Sequence, residues 1–208
     1  MFLRSLNAEQ LAILIPCLLF AVVFHEFSHG WVANRLGDPT AKSAGRLTLN
    51  PLAHLDMFGS LMILFVGFGW AKPVPVDSSN LSNPRIDNMK IAFAGPASNL
   101  LLALIGGTLI GIIGDSYSTK MILFYFTLIN IRLAVFNMIP LFPLDGSHIF
   151  SGFMVKRNPQ LVMKMRMYGP QILMGLILFG MITKISIIQI IISPFVNFFL
   201  FLFVGGSL

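Results

Sequence analysis

The sequence predicts an all-α polytopic membrane protein with about five to six transmembrane helices, a re-entrant segment and a short extended, strand-like element beside a polar cluster. Three observations carry this. The 208 residues are 56% hydrophobic and only 11% charged, with a mean hydropathy of +0.83, well away from the composition of soluble domains. Apolar stretches recur at residues 11–33, 57–70, 91–113, 121–139, 172–183 and 187–204, against roughly 20 residues needed for a crossing. Ionisable residues, His25, Glu26 and His29, sit inside the first of these stretches rather than in a loop. The length accommodates one membrane domain, with a core at about 11–155 and C-terminal helices at about 169–206, and leaves little for a separate soluble module.

The first stretch follows Arg4 and continues through His25 without an A-x-A cleavage pattern, so it predicts an uncleaved first span. The second, 57–70, is short, carries Gly59, Gly67 and Gly69, and runs into Lys72-Pro73-Val74-Pro75-Val76-Asp77; a dip and return fits it better than a crossing. Charge distribution agrees. A re-entrant second segment puts Arg35, Lys42, Arg46, Lys72, Arg85, Lys90, Lys156, Arg157, Lys164 and Arg166 on one side and only Arg4, Lys120 and Lys184 on the other. Six full crossings divide the same cations eight to five, and the positive-inside rule favours the more uneven version, with the N-terminus outside and residues 35–90 at the cytoplasmic face. Pro73 and Pro75 alternate with Val74 and Val76, which forbids a helix and suits an extended edge, because proline has no ladder donor.

In the third stretch Gly106-Gly107 and Gly111-x-x-Gly114 permit close helix approach. The fourth contains Arg132, which either snorkels or faces the bundle interior, and ends at Pro140 and Pro143. The phenylalanines of 195–203 are lipid-facing bulk. Cys17 is the only cysteine; it excludes an intrachain disulfide and a cysteine metal cluster, and is a packed or lipid-facing small residue. The net charge of +6 fits loops against anionic lipid, and no basic run offers a nucleic-acid patch.

Chemistry concentrates at His25-Glu26-Phe27-Ser28-His29. Positions four apart share a helix face, so two imidazoles converge on one point and Glu26 lies on the adjoining flank. Ionisable groups at mid-helix cost on the order of 2.5 kcal/mol or more to place in lipid, which calls for a metal, a partner or a cavity. Two histidines do not complete a catalytic zinc site; a third protein ligand is usual. His54, Asp56, Asp115, Asp145, His148 and Cys17 are the candidates near the apolar part. Asp145 fits best, because Pro140 and Pro143 break the preceding helix and Gly146 follows, and irregular backbone at membrane depth belongs where it lines a protein-buried or polar cavity. Capping of the next helix is a compatible second role for Asp145. His54 reads as a solvated loop residue or a gate, His148 as an interior or interfacial histidine, and Asn99 and Asn137 as hydrogen-bonding groups within the bundle.

His25-Glu26-x-x-His29, Gly95-Pro96-Ala97-Ser98-Asn99, and Asn137-x-x-Pro140 leading to Leu144-Asp145-Gly146 together resemble the three motifs of the site-2 protease family of intramembrane zinc metalloproteases. The likeness covers roughly residues 11–150, and the segments 46–54 and 69–76 are similar to its compact prokaryotic branch, without a PDZ-like or CBS-like insertion. The resemblance implies zinc held by His25, His29 and Asp145, with Glu26 as catalytic base and Asn137 supporting the site or the substrate. It also implies substrates that are membrane proteins with a transmembrane segment, and a multi-pass protein of the prokaryotic cytoplasmic membrane whose site opens to the cytoplasm. A membrane zinc transporter or sensor, or a catalytically silent relative, is the alternative use of the same cluster.

Overall fold

The computed structural model describes residues 8–59, 62, 69–112 and 116–205. The chain runs through α1 (Ala8–Arg35), α2 (Thr40–Ser43), α3 (Pro84–Ile112), α4 (Tyr117–Asn137), α5 (Asp145–Met154), α6 (Pro159–Thr183) and α7 (Ile187–Val204). Among the described residues five helices, all of these but α2 and α5, are long and apolar enough to cross a membrane. The fold class is therefore the expected one. Most of the expected re-entrant segment, 57–70, lies outside the described residues, although Met57 to Gly59 are helical.

Helix starts follow local chemistry. The Asn83 side chain accepts from Ile86 N (3.4 Å), Asp87 returns a carboxylate to Asn83 N (2.9 Å) and Pro84 opens α3, a reciprocal cap with proline where its missing N–H does no harm. In α6, Pro159 follows Asn158, whose side chain accepts from Leu161 N. That cap starts the helix well before the apolar stretch at 172, so Lys164 and Arg166, expected in a loop, ride on the helix itself.

The bundle is organised around α3, which packs against α1, α4, α5 and α7. Small residues make this possible: a Cβ on Gly106 would lie 2.6 Å from Thr127 Oγ1 of α4, and one on Gly107 would lie 2.5 Å from the Phe203 carbonyl oxygen of α7. Gly111 faces open space, so the close approach expected of the second pair is not made there, and Gly114 lies outside the described residues. The apolar core of Ala103, Ile131, Ile192 and Val196 sits where α3, α4 and α7 meet.

The expected strand-like element is an extended run without a sheet. Among the described residues the one β contact is an isolated antiparallel bridge between Leu55 and Ala71. The reason is visible in the hydrogen bonds. Pro73 and Pro75 have no donor, and the N–H groups of Lys72, Val74 and Asp77 go to the His54 carbonyl, the Glu26 carboxylate and the Asp38 carboxylate. Val76 packs with the buried Ala33, Leu81 and Ile91, which seats this run against α1 and α3.

Candidate active site

His25 and His29 lie one turn apart on α1, ten residues or fewer from its end at Arg35, so they sit up to about 15 Å inside the helix terminus at 1.5 Å per residue. Both are buried. Their Nε2 atoms are 3.1 Å apart. Asp145, the first residue of α5, completes a triangle: its Oδ2 is 3.0 Å from His25 Nε2 and 3.3 Å from His29 Nε2. The N-terminus of α5 carries no side-chain cap, so capping alone does not account for Asp145.

Backbone close to its limit brings these groups together. A Cβ on Gly95 of α3 would sit 2.5 Å from His29 Nε2 and 2.6 Å from His25 Cε1; only glycine lets α3 pass across the imidazole edges. A Cβ on Gly146 would sit 2.1 Å from the Met138 carbonyl oxygen, so the proline-containing turn from α4 folds tightly enough to return Asp145 to α1. The Phe142–Pro143 peptide in that turn is cis.

A hydrogen-bond network fixes the rings. The Asn99 amide nitrogen donates to the Ala21 carbonyl (3.0 Å) and to Asn130 Oδ1 (2.8 Å), while Asn130 in turn donates to the Phe126 carbonyl (2.9 Å). That leaves the Asn99 oxygen facing His25 Nδ1 at 2.7 Å, so His25 Nδ1–H must be the donor. His29 Nδ1 faces the Ile91 carbonyl at 2.7 Å and is a donor for the same reason. In the neutral rings both Nε2 atoms therefore present bare lone pairs toward each other and toward a buried carboxylate oxygen that has no hydrogen-bond donor among the described residues. Three electron-rich atoms at such distances repel unless a cation lies among them. Tetrahedral zinc with bonds near 2.0–2.1 Å places its ligand atoms about 3.3 Å apart, and the His–His–Asp donor set with outer hydrogen bonds on each ring is zinc chemistry. The residues fit the ion.

Glu26 is half-buried, and its Oε2 accepts from Val74 N at 3.0 Å. Val74 also packs on the helix: a Cβ on Gly30 would lie 3.1 Å from its Cγ1. The extended run is thus docked on the proposed base. Asp38 anchors its far end, accepting from Asp77 N (2.8 Å), Asn80 Nδ2 (2.9 Å), Thr40 N (3.1 Å) and the Thr40 hydroxyl.

Other candidates stand apart. His54 is not solvated: it is 1% exposed, and its Nε2 faces the Thr48 carbonyl at 2.8 Å, because the loop folds back over it. Asp56 caps Gly59 N. His148 stacks edge-on to Phe142, whose ring also meets the Arg166 guanidinium, and Cys17 is packed and free. Asp115 lies outside the described residues. Asn137, at the end of α4, donates to the Leu133 carbonyl of its own helix (3.0 Å). Asn130, the Ile91 carbonyl and Asp38 were not singled out from the sequence. An amide in an apolar helix was the available signal for Asn130, and Asp-Pro-Thr after Gly37 was the turn signal for Asp38.

Residues 13–116 and 107–180 match the family model of peptidase family M50. The chain belongs to that family. It is 42% identical over 146 residues to the putative zinc metalloprotease YwhC of Bacillus subtilis, a stretch covering 65% of this chain and 66% of that protein. It is 26% identical over 198 residues to the zinc metalloprotease MJ0392 of Methanocaldococcus jannaschii (92% of this chain, 49% of that protein). The chain thus spans about half to two thirds of the length of these relatives. The site-2 protease structure from Methanocaldococcus jannaschii shares the fold, with a TM-score of 0.52 at 20% identity, covering 93% of this chain and 78% of that one. The M50 membership and the shared fold agree with the resemblance drawn from the three motifs.

Proposed function

We propose that this M50 protein is a zinc-dependent intramembrane endopeptidase that hydrolyses peptide bonds in or near the transmembrane segments of membrane proteins. One observation carries the reading: His25 and His29 of a spanning helix and Asp145 of α5 bring three ligand atoms within 3.3 Å of one another, with the Glu26 carboxylate adjacent to His25. A zinc ion held there would act as a Lewis acid, acidifying water and polarising a carbonyl. The chain's own residues do the rest. Asn99 and the Ile91 carbonyl accept from Nδ1 of each ring and so orient both Nε2 atoms toward the ion, Glu26 accepts a proton from the attacking water at its carboxylate, and it returns that proton to the leaving amine.

A helical substrate hides its carbonyls in its own hydrogen bonds, and in lipid the groups freed by unwinding need partners. The extended run at residues 72–77 supplies them. Its Lys72 and Val74 N–H groups face the protein, so strand alternation turns Pro73 and Pro75 to the other edge, which offers carbonyl acceptors only. An unwound peptide would donate its N–H groups there, as in strand addition with half the usual ladder. The protein would work in the cytoplasmic membrane, with its polar pocket opening to the cytoplasm as the charge distribution indicates.

Glu26→Gln tests the reading. Cleavage of a single-span membrane protein should fall by about 10²–10⁴-fold, while bound zinc stays near one per chain. Full proteolysis by that variant would overturn the assignment, and zinc binding with no hydrolysis by the wild type would turn it to a sensor or transporter.

A further inference from the structure

A second chemically distinctive place lies away from the histidines, where the first turns of α3 meet the end of α5. A cavity of about 550 Å³ opens there, lined by Arg85, Lys156 and Arg157 together with Ile86, Met89 and Phe153. Among the described residues none of the three cations is in an ion pair; the nearby Asp87 is engaged by Lys90 and by Asn83 N. The apolar side is open as well, with Phe153 63% and Ile86 38% exposed. The cavity sits at the first turns of the α3 span, which begins at Pro84, the end of the helix that faces a membrane surface rather than the bilayer centre.

Three cations without a carboxylate call for an anion, and exposed apolar side chains beside them call for hydrocarbon. A free anion satisfies only the first requirement and an acyl tail only the second. We propose that this cavity binds an anionic phospholipid, its headgroup phosphate held by Arg85, Lys156 and Arg157 and its chains lying along Phe153 and Ile86. Binding there bridges two helices that already touch at the cavity floor, where a Cβ on Gly152 would meet Met89 Sδ at 2.2 Å. α5 begins with Asp145, and α3 carries Ile91, Gly95 and Asn99. The lipid therefore clamps the helix bearing the carboxylate to the helix supporting both imidazoles. That consequence for catalysis rests on the function proposed above; lipid binding itself does not.

The experiment uses the full chain in detergent, titrated with phosphatidylglycerol, phosphatidylcholine or inorganic phosphate and read by native mass spectrometry, with zinc content measured on each sample. Phosphatidylglycerol should bind at one per chain and resist displacement by phosphatidylcholine and by inorganic phosphate. The combined Arg85→Gln, Lys156→Gln and Arg157→Gln variant should lose about 10-fold or more in retention, while Arg85→Lys with Arg157→Lys should stay near wild type, separating lost charge from lost fold. Equal phosphatidylglycerol retention by the wild type and the triple variant overturns the proposal. So does displacement by phosphate alone, which would make this a free-anion site, and so does equal binding of phosphatidylcholine, which would make it an apolar crevice.

Discussion

His25 and Glu26 are neighbours in sequence and are held by different kinds of structure. His25 is gripped by Asn99 from a spanning helix, with Asn130 of another spanning helix behind it, all three buried. Glu26 is half-buried and held by one backbone N–H from an irregular run 48 residues away. The difference divides the labour. The proposed metal ligands are pre-built by helix packing and need nothing from substrate, whereas the proposed base is oriented by the same segment that would receive substrate. A helix-packed site resists displacement, and a loop-held residue yields to it. This division predicts that damage to the bundle removes metal, while damage to the loop layer leaves metal in place and alters turnover.

The largest effect should come from Gly95→Ala. Its methyl group would overlap both imidazoles, at 2.5 and 2.6 Å, and helix–helix packing leaves no easy retreat. Overpacking of this kind costs about 1–3 kcal/mol, and here it falls on the ligands, so zinc affinity should drop by up to about 100-fold in a chelator competition. Unchanged affinity would mean that α3 can slide, and the contrast between a rigid centre and a yielding loop would be lost. Asn99→Ala comes next. It frees the His25 tautomer and strips Asn130 of its donor, and loss of such an outer partner typically lowers metal affinity by about 10–100-fold. Measured zinc affinity within twofold of wild type would break the claim that the amide network sets the ring.

How legible these two regions were in the sequence follows the same line. Helix periodicity alone put His25 and His29 on one face, and the proline-broken turn before Gly146 singled out Asp145, since both arguments depend on local geometry. The five spans were also legible, because lipid imposes a length and a composition. The supports were harder. Asn99 was visible as a costly amide and as the last residue of a family-like motif, but without its partners, and Asn130 went unnoticed, since nothing local says which of several helices will face which. An extended run beside the cluster was expected, but the particular docking of Val74 on Glu26 was out of reach. It depends on Arg46 donating to the Lys72 carbonyl (2.7 Å) and Asp38 holding Asp77 N, contacts between segments that no short-range pattern links. The solvated reading of His54 failed for the same reason, a loop histidine becoming buried once the loop folds back.

Val74→Pro probes the loop side of the comparison. It removes the donor to Glu26 while keeping an extended backbone, so zinc content should match wild type. The kcat/KM for a transmembrane substrate should fall by about 10-fold, in line with a hydrogen bond to a charged group worth about 1.5–3 kcal/mol. A short flexible peptide should be less affected, because it needs no unwinding. Equal losses on both substrates would leave Val74 as a positioner of Glu26 alone, and a parallel loss of zinc would erase the distinction between the two regions.

The smallest effect is a pH dependence in the loop anchor, outside the spans. Burial of Asp38 works to raise its carboxyl, but hydrogen bonds from the Thr40 hydroxyl, Asn80, and the Asp77 and Thr40 amides outweigh it and hold the group below the ordinary carboxylate value. A carboxyl depressed on folding contributes stability that is fully present above its unfolded value, about 4, and is lost as pH falls through the lower folded value. The loop should therefore hold at neutral pH and loosen only in acid, below about pH 4. Asp77, itself depressed by Ser79, titrates in the same window, so the variant Asp38→Asn is needed to separate them. Exchange of the Thr40 and Asp77 amides should be faster than wild type at neutral pH in that variant, and the difference between the two proteins should shrink as acid protonates the wild-type carboxylate. Exchange of amides in α3 beyond its first turn, which the Asp87 carboxylate caps on its own, should not change in either protein. If α3 loosened together with the loop, the anchor would belong to the bundle, and the base and the ligands would share one scaffold after all.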